Sequence, residues 1–166
     1  MLDIRSLSCI LSKKNAQLGN QLLCCLSVIL FILRINFLPP PAHPSTRYLD
    51  LWVHHKTARC YVSVRPSGQI VGYTVLRPAD VGWKMYPLYA DDKNIAHALF
   101  CKAASDIPRG EDLIFTQPIE NENANEFVKA CGLTQYLSMT RLYNKCDVHV
   151  DISRVYSVSS TEYGIV

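Results

Sequence analysis

Two short runs of β-forming residues on either side of Pro66-Ser67-Gly68 constrain this chain more than any other feature. Cys60 to Leu76 reads CYVSVRPSGQIVGYTVL. Proline and glycine between two such runs mark a hairpin, because proline presets the first dihedral of a turn and glycine accepts a positive φ. The second run, Ile70, Val71, Tyr73, Val75 and Leu76, is apolar enough to be a central strand. Trp83 to Tyr89, WKMYPLY, reads as a short aromatic strand closed by Pro87. The spacing then predicts a helix over Asp92 to Ser105, with Ile95, Ala98, Leu99 and Lys102 at helical intervals. Asp91 and Asp92 suit its N-terminus, where the helix dipole favours negative charge.

Further along, Leu113 to Gln117, LIFTQ, reads as a short buried strand leading through Pro118 into a second helix near Asn123 to Cys131. Gly132 stands where a helix-terminating glycine belongs. Tyr136 to Tyr143, YLSMTRLY, reads as a last strand. A helix between two short apolar strands implies a parallel pair, so the order β-β-β-α-β-α-β describes an α/β domain with a mixed, mostly antiparallel sheet and packed helices.

Charge narrows the function classes. The chain of 166 residues carries 17 Lys and Arg against 14 Asp and Glu. In residues 1–46, Arg5, Lys13, Lys14 and Arg34 stand against Asp3 alone, whereas residues 47–166 hold 13 basic and 13 acidic residues. The folded part is therefore neutral and lacks the basic stripe of a nucleic-acid binder. Seven cysteines, at 9, 24, 25, 60, 101, 131 and 146, show no CxxC spacing and no even framework, so they read as reduced, mostly buried thiols and no metal is expected.

Leu22 to Leu33, LLCCLSVILFIL, is an apolar run of signal-peptide length and is short for a bilayer span of about 20 residues. Three readings stand beside each other: a weak signal or signal-anchor, a hydrophobic helix docking on this protein or a partner, and a non-native N-terminus. Pro39 to Thr46, PPPAHPST, is a stiff linker. The expected boundary separates a hydrophobic extension, 1–46, from a domain at 47–166. The expected location is cytoplasmic, with membrane association or secretion as the alternative if Leu22–Leu33 acts as an anchor.

The segments GQIVGYTVLR, YPLYADDKNIAHALF, QPIENENANEFVKACGL and TRLYN, and the closing DISRVYSVSSTEYG from Asp151 to Gly164, carry a resemblance. In this order and spacing, over about residues 47–166, they are similar to the GNAT acetyltransferase superfamily, and within it to the C-terminal domain of two-domain GNAT proteins. The resemblance implies acetyl-CoA as co-substrate, a small-molecule or peptide amine as acceptor, and pairing with another GNAT domain. It places the cofactor along Leu88, Tyr89 and Ala90 and at the helix start, Lys93, Asn94, Ile95 and Ala96, where backbone N–H groups and the helix dipole attract phosphate. The family motif Q/R-x-x-G-x-G/A falls on Asp91, Asn94 and Ala96, so this chain carries an acid where the motif has Gln or Arg.

The segment N-x-x-A-x-x-L-Y-x-x-x-G-F maps a cofactor contact onto Asn121, with Ala124, Phe127 and Gly132 in register. Its tyrosine, the family's acid, is Val128 here, and valine cannot protonate a departing thiolate. The acid must then be Tyr89 or Tyr136, unless the thiolate leaves unassisted. Glu120 and Glu122, after the LIFTQ strand, stand where a substrate pocket would open, and Glu120 is the candidate base. His54 and His55 are weaker candidates for that role. His97 and Cys101, four residues apart, would share a helix face and could bind a metal or form a Cys-His nucleophile pair, but no third ligand or orienting carboxylate stands at a readable spacing. The departures at Asp91, Asn94 and Val128 equally suit a non-catalytic GNAT-fold module for ligand sensing or protein interaction.

Overall fold

The structure is a computed structural model that describes residues 21–23, 55–140 and 151–159. Strands β2 (Arg59–Val64) and β3 (Ile70–Pro78) form the expected hairpin. Gly68 takes φ 85° in its turn, and the loop closes through Gly68 N to Arg65 O at 2.8 Å. Strand β4 (Trp83–Ala90) returns antiparallel to β3. Strand β1 (Gln21–Leu23) pairs antiparallel with the free edge of β2, Gln21 opposite Val64 and Leu23 opposite Val62. The first two residues of the apolar run Leu22–Leu33 therefore lie in a strand, while 24–33 fall outside the described residues. Among the described residues no helix is long and apolar enough to cross a membrane.

From β4 the chain enters helix α1 (Lys93–Ala104), then β5 (Leu113–Ile114), which pairs parallel with β4 at Trp83 and Lys84. This is the β-α-β core that the segment order predicts. Helix α2 (Glu122–Ala130) follows. It ends in a two-bond cap: Gly132 N donates to Lys129 O and Leu133 N to Val128 O, with Gly132 at φ 67°. Tyr136 to Thr140 carry no regular structure, and Tyr136 and Leu137 are exposed, so the last strand expected at Tyr136–Tyr143 does not form there; 141–143 lie outside the described residues. The strand that does form is β6 (Val155–Ser157), entered from a 3-10 turn at Ile152–Arg154 and paired antiparallel with β4.

Two more sequence expectations are corrected. Pro87 does not close β4. It lies inside the strand at an irregularity, where Thr74 faces Leu88 and Leu76 faces Met85, so Tyr86 and Pro87 together oppose Val75. A bulge is one of the few places a sheet tolerates a residue without an N–H. LIFTQ contributes only Leu113 and Ile114 to a ladder, because β4 turns away beyond them.

The helices cover one face of the sheet. Tyr61, Val71, Leu76, Met85 and Leu88 meet Ile95, Leu99, Phe100 and Ala103 of α1 and Phe127 of α2 there. The buried stripe of α1 is thus Ile95, Leu99 and Ala103, and Lys102 is exposed. Val62, Ile70, Tyr73, Val75, Tyr89 and Val155 form a smaller cluster of their own. Phe127 is a hub of edge-on and tilted ring contacts, with centroids 5.3 Å from Phe100, 5.9 Å from Phe115 and 5.8 Å from Tyr156. Such pairs add about 0.5–1.5 kcal/mol each beyond the area they bury.

Helix α1 sits close on β3 because residue 72 has no side chain. A Cβ at Gly72 would stand 2.8 Å from Ile95 Cγ2, 2.9 Å from Leu99 Cδ1 and 2.9 Å from the Tyr89 carbonyl oxygen. The last of these is backbone and cannot step aside. Gly72→Ala is expected to destabilise the chain by about 1–3 kcal/mol, the usual range for overpacking a core. Urea unfolding of the two proteins measures it, and equal midpoints would show that α1 is free to slide.

Candidate functional site

A strand inside a sheet has two edges, and the outer edge of β4 is shared between two partners. Its first part, Trp83 and Lys84, pairs with Leu113 and Ile114 of β5. Beyond the bulge at Tyr86–Pro87, β4 leaves β5, and Leu88 and Tyr89 face Ser157 and Val155 of β6 instead. Across the gap Val158 N donates to Thr116 O at 2.9 Å, just past β5. The segment from Val155 to Val158 thus fills the gap between the two parallel strands. Ser157 Oγ adds a bond to Met85 O at 2.9 Å.

The N-terminus of α1 opens at the same end of β4. Asp92 caps it: its Oδ1 accepts from Asn94 N at 2.8 Å and Ile95 N at 2.9 Å, and its carbonyl accepts from Ala96 N at 3.0 Å. Asp91 turns aside into a pair of arginines. Arg154 donates to its Oδ1, and Arg65 Nη2 lies 3.6 Å from its Oδ2. The two acids are therefore each compensated, one by helix amides and one by guanidinium groups. Lys93 reaches Glu126 of α2 at 2.8 Å, with both side chains exposed, and its hydrogen bond, then its charge, hold the Glu126 carboxyl below the ordinary range.

Asn121 joins this region to α2. Its Oδ1 accepts from Ala124 N at 3.2 Å, which caps α2. Its Nδ2 donates to the carbonyls of Ile152 at 2.8 Å, Ser153 at 3.2 Å and Val155 at 2.8 Å. The side chain is 3% exposed, and its polar atoms are bonded within the protein. Beside it an open pocket of about 450 Å³ is lined by Glu120, Glu122, Asn123, Asp151 and Ser153. Three carboxylates at one opening favour a cationic guest such as an amine.

The sequence-predicted residues divide accordingly. Leu88, Tyr89, Ala90, Lys93, Asn94, Ile95 and Ala96 gather where β4 runs into α1; Leu88, Ala90, Ile95 and Ala96 are buried there and Asn94 is exposed. Tyr89 points to the other cluster, its ring centroid 5.3 Å from that of Tyr73 and its hydroxyl 3.2 Å from Ser159 Oγ. Tyr136 is 76% exposed on the segment after α2. Glu120 lines the acidic pocket, and Val128 packs on the core from α2. His55 is exposed and bonds to Thr57, and His54 lies outside the described residues. Cys101 Sγ does touch His97, 3.7 Å from Nε2, but burial pushes the Cys101 thiol up, away from the thiolate a nucleophile needs.

Tyr156 is the residue that the sequence reading missed. It is 1% exposed and packs on Phe127. Burial first, and then the Asp92 charge, push its phenol up to about 12, so it stays protonated at neutral pH. Its signal lay in Asp151-Ile-Ser153, an aspartate two residues before a serine, followed by the alternating Val155-Tyr156-Ser157-Val158. Asp151 Oδ1 indeed accepts from Ser153 N at 3.1 Å, starting the turn that feeds β6.

The sequence model of the family described as Acetyltransferase (GNAT) domain matches residues 43–157, so its match reaches through β6. This chain belongs to the GNAT acetyltransferase domain family, and acetyl transfer is the chemistry that family carries. Among solved structures it is similar to a protein of Deinococcus radiodurans R1 assigned as an acetyltransferase, at 14% identity and TM-score 0.54 over 75% of this chain and 89% of that one. It is similar too to a protein of Pyrococcus furiosus assigned as an acetyl transferase, at 14% identity and TM-score 0.53 over 75% of this chain and 99% of that one. At that identity the likeness is one of fold. No curated protein matches the chain. In the arrangement described, the residues expected to hold acetyl-CoA do not fit it: β6 takes the edge at Leu88–Tyr89, Asp92 takes the amides of Asn94 and Ile95, and Asn121 is bonded within the protein.

Replacing Asn121 separates its two duties. Asn121→Ala removes the α2 cap and strips three carbonyls of their donor, an expected loss of about 2–4 kcal/mol in stability. Asn121→Asp keeps the acceptor for Ala124 N and loses the donor, and it should recover only a minor part of that loss. Denaturant midpoints report both; an aspartate variant as stable as the parent would show that the bonds to residues 152–155 contribute little.

Proposed function

We propose that this chain acts as an acetyltransferase of the N-acetyl type, with acetyl-CoA as donor and an amine as acceptor. One observation carries the reading beyond family membership: β4 and β5 pair at two positions only and then part, beside the N-terminus of α1. That gap adjoins Leu88–Ala90 and Lys93–Ala96, the two stretches to which the resemblance assigns the cofactor. Glu120, with Glu122 and Asp151, supports an amine acceptor, since the pocket it lines lies next to the turn that leads into β6. No metal belongs to the reading, and among the described residues no group of three His, Cys, Asp or Glu is placed to hold one.

A second reading, a non-catalytic GNAT-fold module for ligand sensing or protein interaction, is favoured by one specific observation. The gap is filled by Val155–Val158 and the helix amides by Asp92, so the protein's own groups stand where a cofactor would. Thermal unfolding of the full chain with and without acetyl-CoA tells the two apart. Ligand at about 100 times its dissociation constant adds about 2.7 kcal/mol. For a chain of this size that is an expected rise in Tm of about 5–11 °C. A matching rise followed by release of free thiol in the presence of an amine supports the transferase; an unchanged Tm in a cooperatively folded sample supports the silent module.

A further inference from the structure

We propose that residues 24–33 of the apolar N-terminal run pack on the second face of the sheet, so that the run is an internal cover of this domain. The inference goes beyond the acetyltransferase reading and does not depend on it. Its ground is a face that is dry although neither described helix lies on it. Val62, Ile70, Tyr73, Val75, Tyr89 and Val155 form the cluster there, and none is more than 6% exposed. The cluster contains no residue of α1 or α2, which pack on the opposite face. Ala58, Cys60, Val64 and Val158, packed against its margin, belong to β2 and β6 or stand beside them, so they widen the face without covering it. Burial first, and then the neighbouring Tyr89, push the Tyr73 phenol well above its usual value, as a water-free face would. An apolar sheet face of this kind is buried against a further layer.

The course of the chain names the occupant. Strand β1 ends at Leu23 opposite Val62, a member of the cluster, so the run continues from the edge of that face. The face spans β2, β3, β4 and β6, three intervals of about 4.8 Å, or about 14 Å in all. Ten residues in helical form reach about 15 Å, enough to cross it once. The run Leu22–Leu33 falls short of the roughly 20 residues a bilayer asks for and fits this width instead. Cys24 to Leu33 carry no charge, whereas each other stretch outside the described residues does: Arg5 in 1–20, Asp50 in 34–54, Asp147 in 141–150 and Glu162 in 160–166. A charge laid against Val62, Val75 and Val155 would be buried without a partner, which is costly.

The test uses the full chain made with photo-leucine in place of leucine, a probe close in size to the residue it replaces. Illumination and peptide mapping are expected to join Leu26, Leu30 or Leu33 to the peptides carrying Tyr73, Tyr89 or Val155 within one chain. Leu76 and Leu99, in the core of the opposite face, serve as the control. Products from the control leucines with none from the run to those peptides would overturn the proposal, and so would run-to-face products found only between two copies. Hydroxyl-radical labelling gives a second reading, with the exposed Tyr136 as reference. Tyr73 and Tyr89 should be protected in the parent. They should be labelled like Tyr136 once one full turn of the run is made polar by Val28→Asn, Ile29→Asn, Leu30→Asn and Phe31→Asn together. Unchanged protection in that variant, if folded, would mean that another segment covers the face. Should the variant fail to fold, the parent is labelled in the presence of phosphatidylcholine–phosphatidylglycerol vesicles. It is expected to stay in the supernatant with both tyrosines protected; sedimentation with both labelled would place the run in lipid and sink the cover.

Discussion

The hydrogen-bonding capacity of one strand edge governs this structure. The inner edge of β4 belongs to β3 along its length. Its outer edge is taken first by β5 and then, past the bulge at Tyr86–Pro87, by β6. Without that bulge the parallel pair would continue, LIFTQ would be a full strand, and there would be no gap for a second partner. Pro87 makes the change permanent, since it has no N–H to offer a ladder. Its carbonyl is engaged by Thr74 Oγ1 at 2.8 Å on the inner side.

Packing then decides which segment fills the gap. Tyr156 brings an aromatic ring to Phe127, which in turn meets Phe100 and Phe115, so α1, α2, β6 and the chain after β5 meet in one cluster. Asn121 supplies the polar half of the same junction, capping α2 with one end and holding the turn before β6 with the other. A buried amide with both ends satisfied is more constraining than an apolar contact of the same size, because any displacement leaves polar groups unpaired in a water-poor site. Tyr136, Leu137 and Met139 are exposed, and the described part of that strand-like segment, through Thr140, joins no ladder.

The electrostatics follow the same geometry. An aspartate at the end of β4 would repel a phosphate if it pointed into the helix N-terminus, yet Asp91 is drawn to Arg154 and Arg65, and Asp92 serves the helix amides. Both arginines come from elsewhere in the chain, one from the turn before β6 and one from the β2–β3 loop. The acid at position 91 is thus offset by the two guanidinium groups beside it. Family membership, the parted strands and the acidic pocket at Glu120 speak for an acetyltransferase.

Local signals in the sequence determined the hairpin around Pro66–Gly68, helix α1 with its aspartate cap, helix α2 with Gly132 at its end, and the parallel β4–α1–β5 core. Each depends on dihedral preference, capping or periodicity over a few neighbouring residues, which the order of side chains carries by itself. Only the tertiary structure decided that Pro87 sits in a bulge, that Val155–Ser157 becomes a strand where Tyr136–Thr140 does not, and that Arg154 and Tyr156 come to the end of β4 while Asn121 holds the turn before them. Those outcomes are contests between distant segments for one strand edge and one core. They are settled by which segment satisfies more hydrogen bonds and buries more surface at once, a comparison no short stretch of sequence contains.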